Sequence, residues 1–196
     1  MNSKIIGVMG ATGSGKTSFV NQFCETFDAI PIYEEWESNP YMSDFYHSRK
    51  FYENQMWFIE NDIERMQRAI DLSSKNIVVI DKVFLQNYTF ISITDFSDIE
   101  RENCSKLLSK YRYLAYKIDL IVNISIDENE ILNRIKSRNR IQELKLNISW
   151  FERFQKVQKE YLYMLKNEFN FKLIEYDNNK LHFSKIKSKI INIINE

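Results

Sequence analysis

A three-layer α/β/α domain around a five-stranded parallel sheet is the fold this sequence predicts. Five short runs of β-branched and aliphatic residues recur along the chain, and longer stretches of helical period separate them. A glycine-rich octapeptide follows the first run directly. Parallel strands cannot be joined by tight turns. Alternating strand and helix signals therefore imply crossover connections and a sheet covered on both faces.

Taken in order, Lys4–Met9 reads as a buried strand and Lys16–Phe27 as the helix after it. Ala29–Tyr33 is a second, short strand. Phe51, Ile59, Ile63, Met66 and Ile70 share one helical face, which predicts a long helix over 51–73. Asn76–Asp81 is a central strand ending in an acid. Residues 98–117 read as one helix, Asp119–Ser125 as a fourth strand, and Glu128 to Ser137 as a helix running into Arg138 and Arg140. Phe151, Phe154, Gln158, Tyr161, Leu165 and Phe169 mark another helix. Lys172–Glu175 is the last strand and 183–194 the closing helix. No repeat or low-complexity tract interrupts the pattern, so residues 1–196 are expected to form one domain.

Composition narrows the function classes. With four Gly and two Pro in 196 residues there is little room for linkers. Cys24 and Cys104 lack ligand spacing and are expected to be inert thiols. No leader-like h-region or membrane-length apolar run is seen, so a cytoplasmic protein without a membrane partner is expected. Net charge is zero, yet residues 1–100 hold 8 Lys+Arg against 15 Asp+Glu and residues 101–196 hold 19 against 12. Two readings fit: the halves neutralise one another, or cations in the second half grip phosphate while the first builds an anion-averse acceptor pocket. No basic stripe with interleaved aromatics suggests nucleic acid.

Gly10-Ala11-Thr12-Gly13-Ser14-Gly15-Lys16-Thr17 fits G-x-x-x-x-G-K-[ST] between a strand and a helix. Such a loop points successive N–H groups at phosphate oxygens, and the helix N-terminus adds a favourable field. Lys16 is expected to reach the β- and γ-phosphates and Thr17 to ligate Mg²⁺, with ATP as donor. Asp81 closes an aliphatic strand in the Walker B manner and is a second candidate for the metal; capping a helix or orienting a lysine are its other readings. Glu34, in Tyr33-Glu34-Glu35-Trp36, stands at the C-terminal end of a strand, where open α/β sheets bind ligands. A carboxylate there can take a proton from an attacking hydroxyl, although solvated loop acids would look the same.

These motifs, with Glu34 to Tyr46 (E-E-W-E-S-N-P-Y-M-S-D-F-Y), Gln55, Asp81 and the stretch Arg134-Ile-Lys-Ser-Arg138-Asn-Arg140-Ile-Gln-Glu143, resemble the deoxynucleoside kinase family, closest to its bacterial deoxyadenosine/deoxyguanosine kinase branch. The resemblance spans residues 5–143. It implies a P-loop kinase with an arginine-bearing lid at about 134–147. Such an enzyme passes the γ-phosphoryl group of ATP to the 5′-hydroxyl of a nucleoside, a purine deoxynucleoside on this likeness, in nucleotide salvage. It further implies Glu34 as general base, Tyr46 and Glu143 at the 3′-hydroxyl, and Gln55 with Phe58 at the base. Arg134, Arg138 and Arg140 would close on the transferring phosphoryl group, with Arg138 also on ATP, and Lys82 is counted among the catalytic residues. A homodimer is the implied assembly.

Some positions depart from the family pattern. Lys82 stands where the family has arginine, Asp62 and Asn87 fall on its second base-reading pair, Asn139 replaces the lid glycine, and the segment between Tyr46 and Gln55 is shorter. Other readings remain: a nucleoside monophosphate kinase of thymidylate-kinase type, a kinase for another small hydroxyl compound, or a non-catalytic NTP-binding module. Between Tyr33 and Asp62 seven acids face only Arg49 and Lys50, which suits a neutral acceptor better than a monophosphate.

Overall fold

In a computed structural model, which describes residues 4–42, 50–138, 147–179 and 182–195, the chain runs β1 (Lys4–Gly10), α1 (Lys16–Phe27), β2 (Ile30–Ile32), α2 (Phe51–Leu72), β3 (Ile77–Asp81), α3 (Asn87–Ile93), α4 (Asp98–Tyr111), β4 (Leu120–Ser125), α5 (Glu128–Arg138), α6 (Ile148–Phe169), β5 (Lys172–Asp177) and α7 (Phe183–Asn195). The five strands form one parallel sheet in the order β2-β3-β1-β4-β5.

Alternation along the strands assigns the layers. Ile5 and Met9 of β1 and Val78 and Ile80 of β3 pack with Ile59, Ile63 and Met66 of α2 and Leu162 and Leu165 of α6. Ile6, Val8 and Val79 point to the opposite face, against Phe19, Val20 and Phe23 of α1 and Ile186 and Ile190 of α7. Both faces of each central strand are thus apolar, which is why these strands read as continuous hydrophobic runs. A smaller cluster joins Ile131 and Ile135 of α5 to Phe151 and Phe154 of α6 and to Ala11 of the glycine-rich loop.

The helix expected over 98–117 is divided. α4 ends at Tyr111, and Arg112–Lys117 continues as a 3₁₀-helix. The tighter winding buries Leu114 and Ala115 together while leaving Tyr113 and Tyr116 56% and 64% exposed. α3 and the 3₁₀ turn Phe84–Gln86 before it carry no sequence signal of their own, being short and without an exposed residue. Both thiols are pushed up to about 11 by burial, with Cys104 inside the core, which keeps them in the unreactive protonated form. Among the described residues no helix is long and apolar enough to cross a membrane.

Candidate functional site

All five strands point their C-terminal ends to one edge of the sheet, and the motif residues gather there. Register sets their heights: Val8 lies beside Asp81 on one side of β1, and Gly10 beside Ile124 on the other. The glycine-rich loop leaves β1 at Gly10, whose N–H donates to Gln86 Oε1 at 3.0 Å. Gly15 opens α1 with φ +99. A Cβ there would lie 2.7 Å from Asn178 Nδ2 and 3.6 Å from an Arg134 guanidinium nitrogen. Asn178 also donates to the Ser14 carbonyl at 2.7 Å, so the loop is braced from beyond β5.

Lys16 folds back over the loop and donates to the Gly10 and Ala11 carbonyls at 3.0 and 3.2 Å. Thr17 donates its hydroxyl to Asp81 Oδ2 at 2.5 Å. The other carboxylate oxygen, Asp81 Oδ1, is buried with no hydrogen-bond partner among the described residues, as is Ser14 Oγ. Burial pushes the Asp81 carboxyl above its ordinary range, against the pull of Lys16 and Thr17. A buried carboxylate oxygen left over beside a threonine hydroxyl is a donor set that suits a hard divalent cation.

Across the strand ends lies a second constellation. Lys82 Nζ sits 3.0 Å from Glu34 Oε1 and 3.0 Å from Asp62 Oδ2, with the Phe58 ring centroid 4.1 Å away. Asp62 also accepts from Arg65, one turn along α2. Arg65 in turn donates to the carbonyls of Asp81 (2.8 Å) and Lys82 (2.9 Å), spanning the end of β3. That grip coincides with a left-handed residue, because Lys82 has φ 62. Burial alone would raise the Asp62 carboxyl, but the Lys82 and Arg65 charges beside it hold it below the usual carboxylate range.

A hydrogen-bonded amide chain leads away from Asp62. Asn87 Nδ2 donates to Asp62 Oδ2 at 2.8 Å and to the Phe84 carbonyl at 2.9 Å, and Asn87 Oδ1 accepts from Gln55 Nε2 at 2.8 Å. The polar atoms of Asp62 and Asn87 are therefore engaged inside the protein, and both residues are buried. In the Asn39-Pro40-Tyr41 stretch, Asn39 donates to Asn54 at 2.8 Å and accepts from the Tyr41 N–H at 2.9 Å, tying the loop after β2 to α2.

Of the motif residues, Gly10 to Thr17, Glu34, Gln55, Phe58, Asp62, Asp81, Lys82 and Asn87 thus share one edge of the sheet. Arg134 joins them from α5, where Glu130 holds its Nε at 2.9 Å. Tyr46, Arg140 and Glu143 lie outside the described residues, as does the side chain of Arg138, whose backbone ends α5. Three residues at this edge were not singled out in the sequence. Arg65 could have been found from its i,i+3 spacing to Asp62, and Asn178 from its place just after a strand end. Gln86 carries no comparable signal.

Known proteins resemble this chain in sequence and in fold. The model of the deoxynucleoside kinase family matches residues 6–196. A deoxyadenosine kinase of Dictyostelium discoideum is 23% identical over 163 residues, covering 80% of this chain and 66% of that protein. A deoxyguanosine kinase of Lactobacillus acidophilus is 24% identical over 149 residues, covering 69% and 63%. The chain thus spans somewhat under two thirds of the length of these relatives. Among solved structures, deoxyadenosine kinase from M. mycoides with bound dCTP superposes with a TM-score of 0.77 at 17% identity, over 97% of this chain and 98% of that one. The same enzyme with bound dATP gives 0.78 at 17% identity, over 98% and 100%. These structural likenesses show the fold.

Proposed function

The chain belongs to the deoxynucleoside kinase family, and from that premise we propose that it transfers the γ-phosphoryl group of ATP to the 5′-hydroxyl of a purine deoxynucleoside, in nucleotide salvage. One observation carries the reading: Glu34, held by Lys82 at 3.0 Å, stands at the same sheet edge as the glycine-rich loop. A triphosphate site alone would serve a switch equally well, whereas a carboxylate on the acceptor side serves transfer. The names of the relatives, deoxyadenosine and deoxyguanosine kinase, support a purine deoxynucleoside as acceptor.

In this mechanism Glu34 takes the 5′-hydroxyl proton as that oxygen bonds to the γ-phosphorus and the bond to the ADP oxygen breaks. Lys82 keeps the Glu34 carboxylate turned toward the acceptor. Backbone N–H groups of Gly10 to Thr17 and the Lys16 ammonium hold the phosphates, and Arg134, Arg138 and Arg140 offset charge that spreads over the equatorial oxygens. Thr17 and Asp81 would hold Mg²⁺, which would supply neutralisation of the phosphate charge. On the acceptor, Tyr46 and Glu143 are assigned to the 3′-hydroxyl, and Gln55 and Phe58 to the base. A cytoplasmic homodimer is the setting we assign, its assembly to be read by sedimentation.

The test is phosphoryl transfer from ATP with Mg²⁺ to the four deoxynucleosides and their monophosphates, with wild type and Glu34→Gln. Transfer to deoxynucleosides, and a kcat lower by about 10²–10⁴ in the variant, is expected. Turnover confined to monophosphates would overturn the acceptor, and undiminished turnover in Glu34→Gln would remove Glu34 as the base.

A further inference from the structure

We infer that Asp62 and Asn87 decide which base this site accepts without touching it, by fixing the amide of Gln55 so that its oxygen is presented to an exocyclic amine. This rests on the nucleoside reading above and narrows it to 6-aminopurines over 6-oxopurines.

Asp62 carries a full charge between Lys82 and Arg65, so its oxygens only accept. The Phe84 carbonyl also only accepts. Asn87 meets both with the same end of its side chain, at 2.8 and 2.9 Å, and that end must be its NH₂. Asn87 Oδ1 is thereby turned to Gln55, which must offer it an N–H, as it does at 2.8 Å. Gln55 has no freedom left in the choice. Turning its amide over would set Gln55 Oε1 against Asn87 Oδ1, two acceptors in a buried site with no proton between them.

What remains of Gln55 is an oxygen that accepts from no described residue, beside an amide nitrogen with one hydrogen already used. An unconstrained glutamine can serve either type of base, because rotating its amide exchanges donor for acceptor. A 6-aminopurine offers an N–H₂ beside a ring nitrogen acceptor, which matches the orientation that Asn87 enforces. A 6-oxopurine offers the reverse, a carbonyl beside a ring N–H, and would leave acceptor facing acceptor. Sites built this way discriminate strongly, since the wrong ligand strands buried polar groups. Asp62 and Asn87 thus set base choice through an orienting chain rather than by direct contact.

The experiment is titration calorimetry of the full chain with deoxyadenosine and with deoxyinosine, which differ in the amino-for-oxo exchange and its ring proton, together with kcat/KM for both. Wild type is expected to bind deoxyadenosine about 100-fold more tightly. Asn87→Ala frees the Gln55 amide while leaving Asp62 with Lys82 and Arg65, and should bring the two affinities within a few-fold of each other. Asn87→Ser carries the same expectation, so the failure of one variant to fold leaves the test in place. Equal wild-type affinities, a preference for deoxyinosine, or unchanged preference in a folded Asn87 variant would each overturn the inference. A binding preference for deoxyadenosine without phosphoryl transfer would uphold it while removing the kinase reading.

Discussion

Lys82 is buried, sits in the left-handed region with φ 62, and places its ammonium between two carboxylates. A non-glycine residue in that conformation costs about 1–2 kcal/mol. The paired hydrogen bonds from Arg65 to the carbonyls of Asp81 and Lys82, one on either side of the Lys82 Cα, offset it. Removing Asp62 leaves two cations buried with too little opposing charge. Asp62→Ala is therefore expected to lose about 3–5 kcal/mol of stability in urea unfolding at pH 7. The sign of the pH dependence follows from the lowered carboxyl. Stability contributed by a depressed carboxylate is complete above its unfolded value, near 4, and is lost as pH falls through the folded one. The gap between wild type and variant should hold from pH 8 to about 5 and narrow only below about 4; a gap that closed near neutrality would argue against an ionised Asp62. Sequence position marked Asp62 and Lys82 as departures from a family pattern, but not that they would pair. That pairing depends on α2 turning Asp62 and Arg65 inward together beneath the end of β3, and helical phase relative to a distant strand is not written in local spacing.

At the scale of the element, the strand–loop–helix unit from Lys4 to Phe27 was legible almost to the residue, because apolar run, glycine pattern and helical period agree there. Its braces were not, since Asn178 and Gln86 reach the loop from far along the chain. Gly15→Ala separates local from long-range constraint. The new Cβ meets Asn178 at 2.7 Å and also forces alanine to φ +99. ATP affinity is expected to fall at least about tenfold, given the strain and the lost cradle. Asn178→Ala relieves the clash but also removes the hydrogen bond to the Ser14 carbonyl, so the double variant is compared with Asn178→Ala alone and should still bind ATP more weakly, by calorimetry; equal affinities would mean that backbone conformation is unimportant here. The start of α4 has a simpler logic. Ser97 and Glu100 form a reciprocal capping box, and Ser97→Ala should cost about 1 kcal/mol with no change in nucleotide binding. α3 escaped the sequence reading for a physical reason. Seven mostly buried residues show no amphipathic period, and packing against α2, α4 and α6 defines their helix.

Across the whole molecule, the strand order brings sequence-distant segments to one edge. β1 lies at the centre, the acidic first half of the chain supplies β2, β3 and the Glu34 side, and the basic second half supplies β4, β5 and the arginines of α5. The parallel sheet was legible because buried strands separated by helices admit few other arrangements. Strand order was not, since neighbours such as β1 and β4 have no local signature. Because the proposed donor site draws on β1, β3 and the loop after β5 together, ligand binding there should stabilise the domain as a unit. ATP with Mg²⁺ at about 100 times its Kd would add roughly 2.7 kcal/mol, which for a chain of this size is an upward Tm shift of about 5–10 °C. If Thr17 and Asp81 hold the metal, EDTA should remove most of that shift for wild type. The variant Thr17→Ala/Asp81→Asn, in which Asp81 loses its orphaned carboxylate charge, should shift little with or without EDTA. A wild-type shift that survives EDTA undiminished would place ATP binding on the loop N–H groups and Lys16 alone, and would take the metal role away from Asp81.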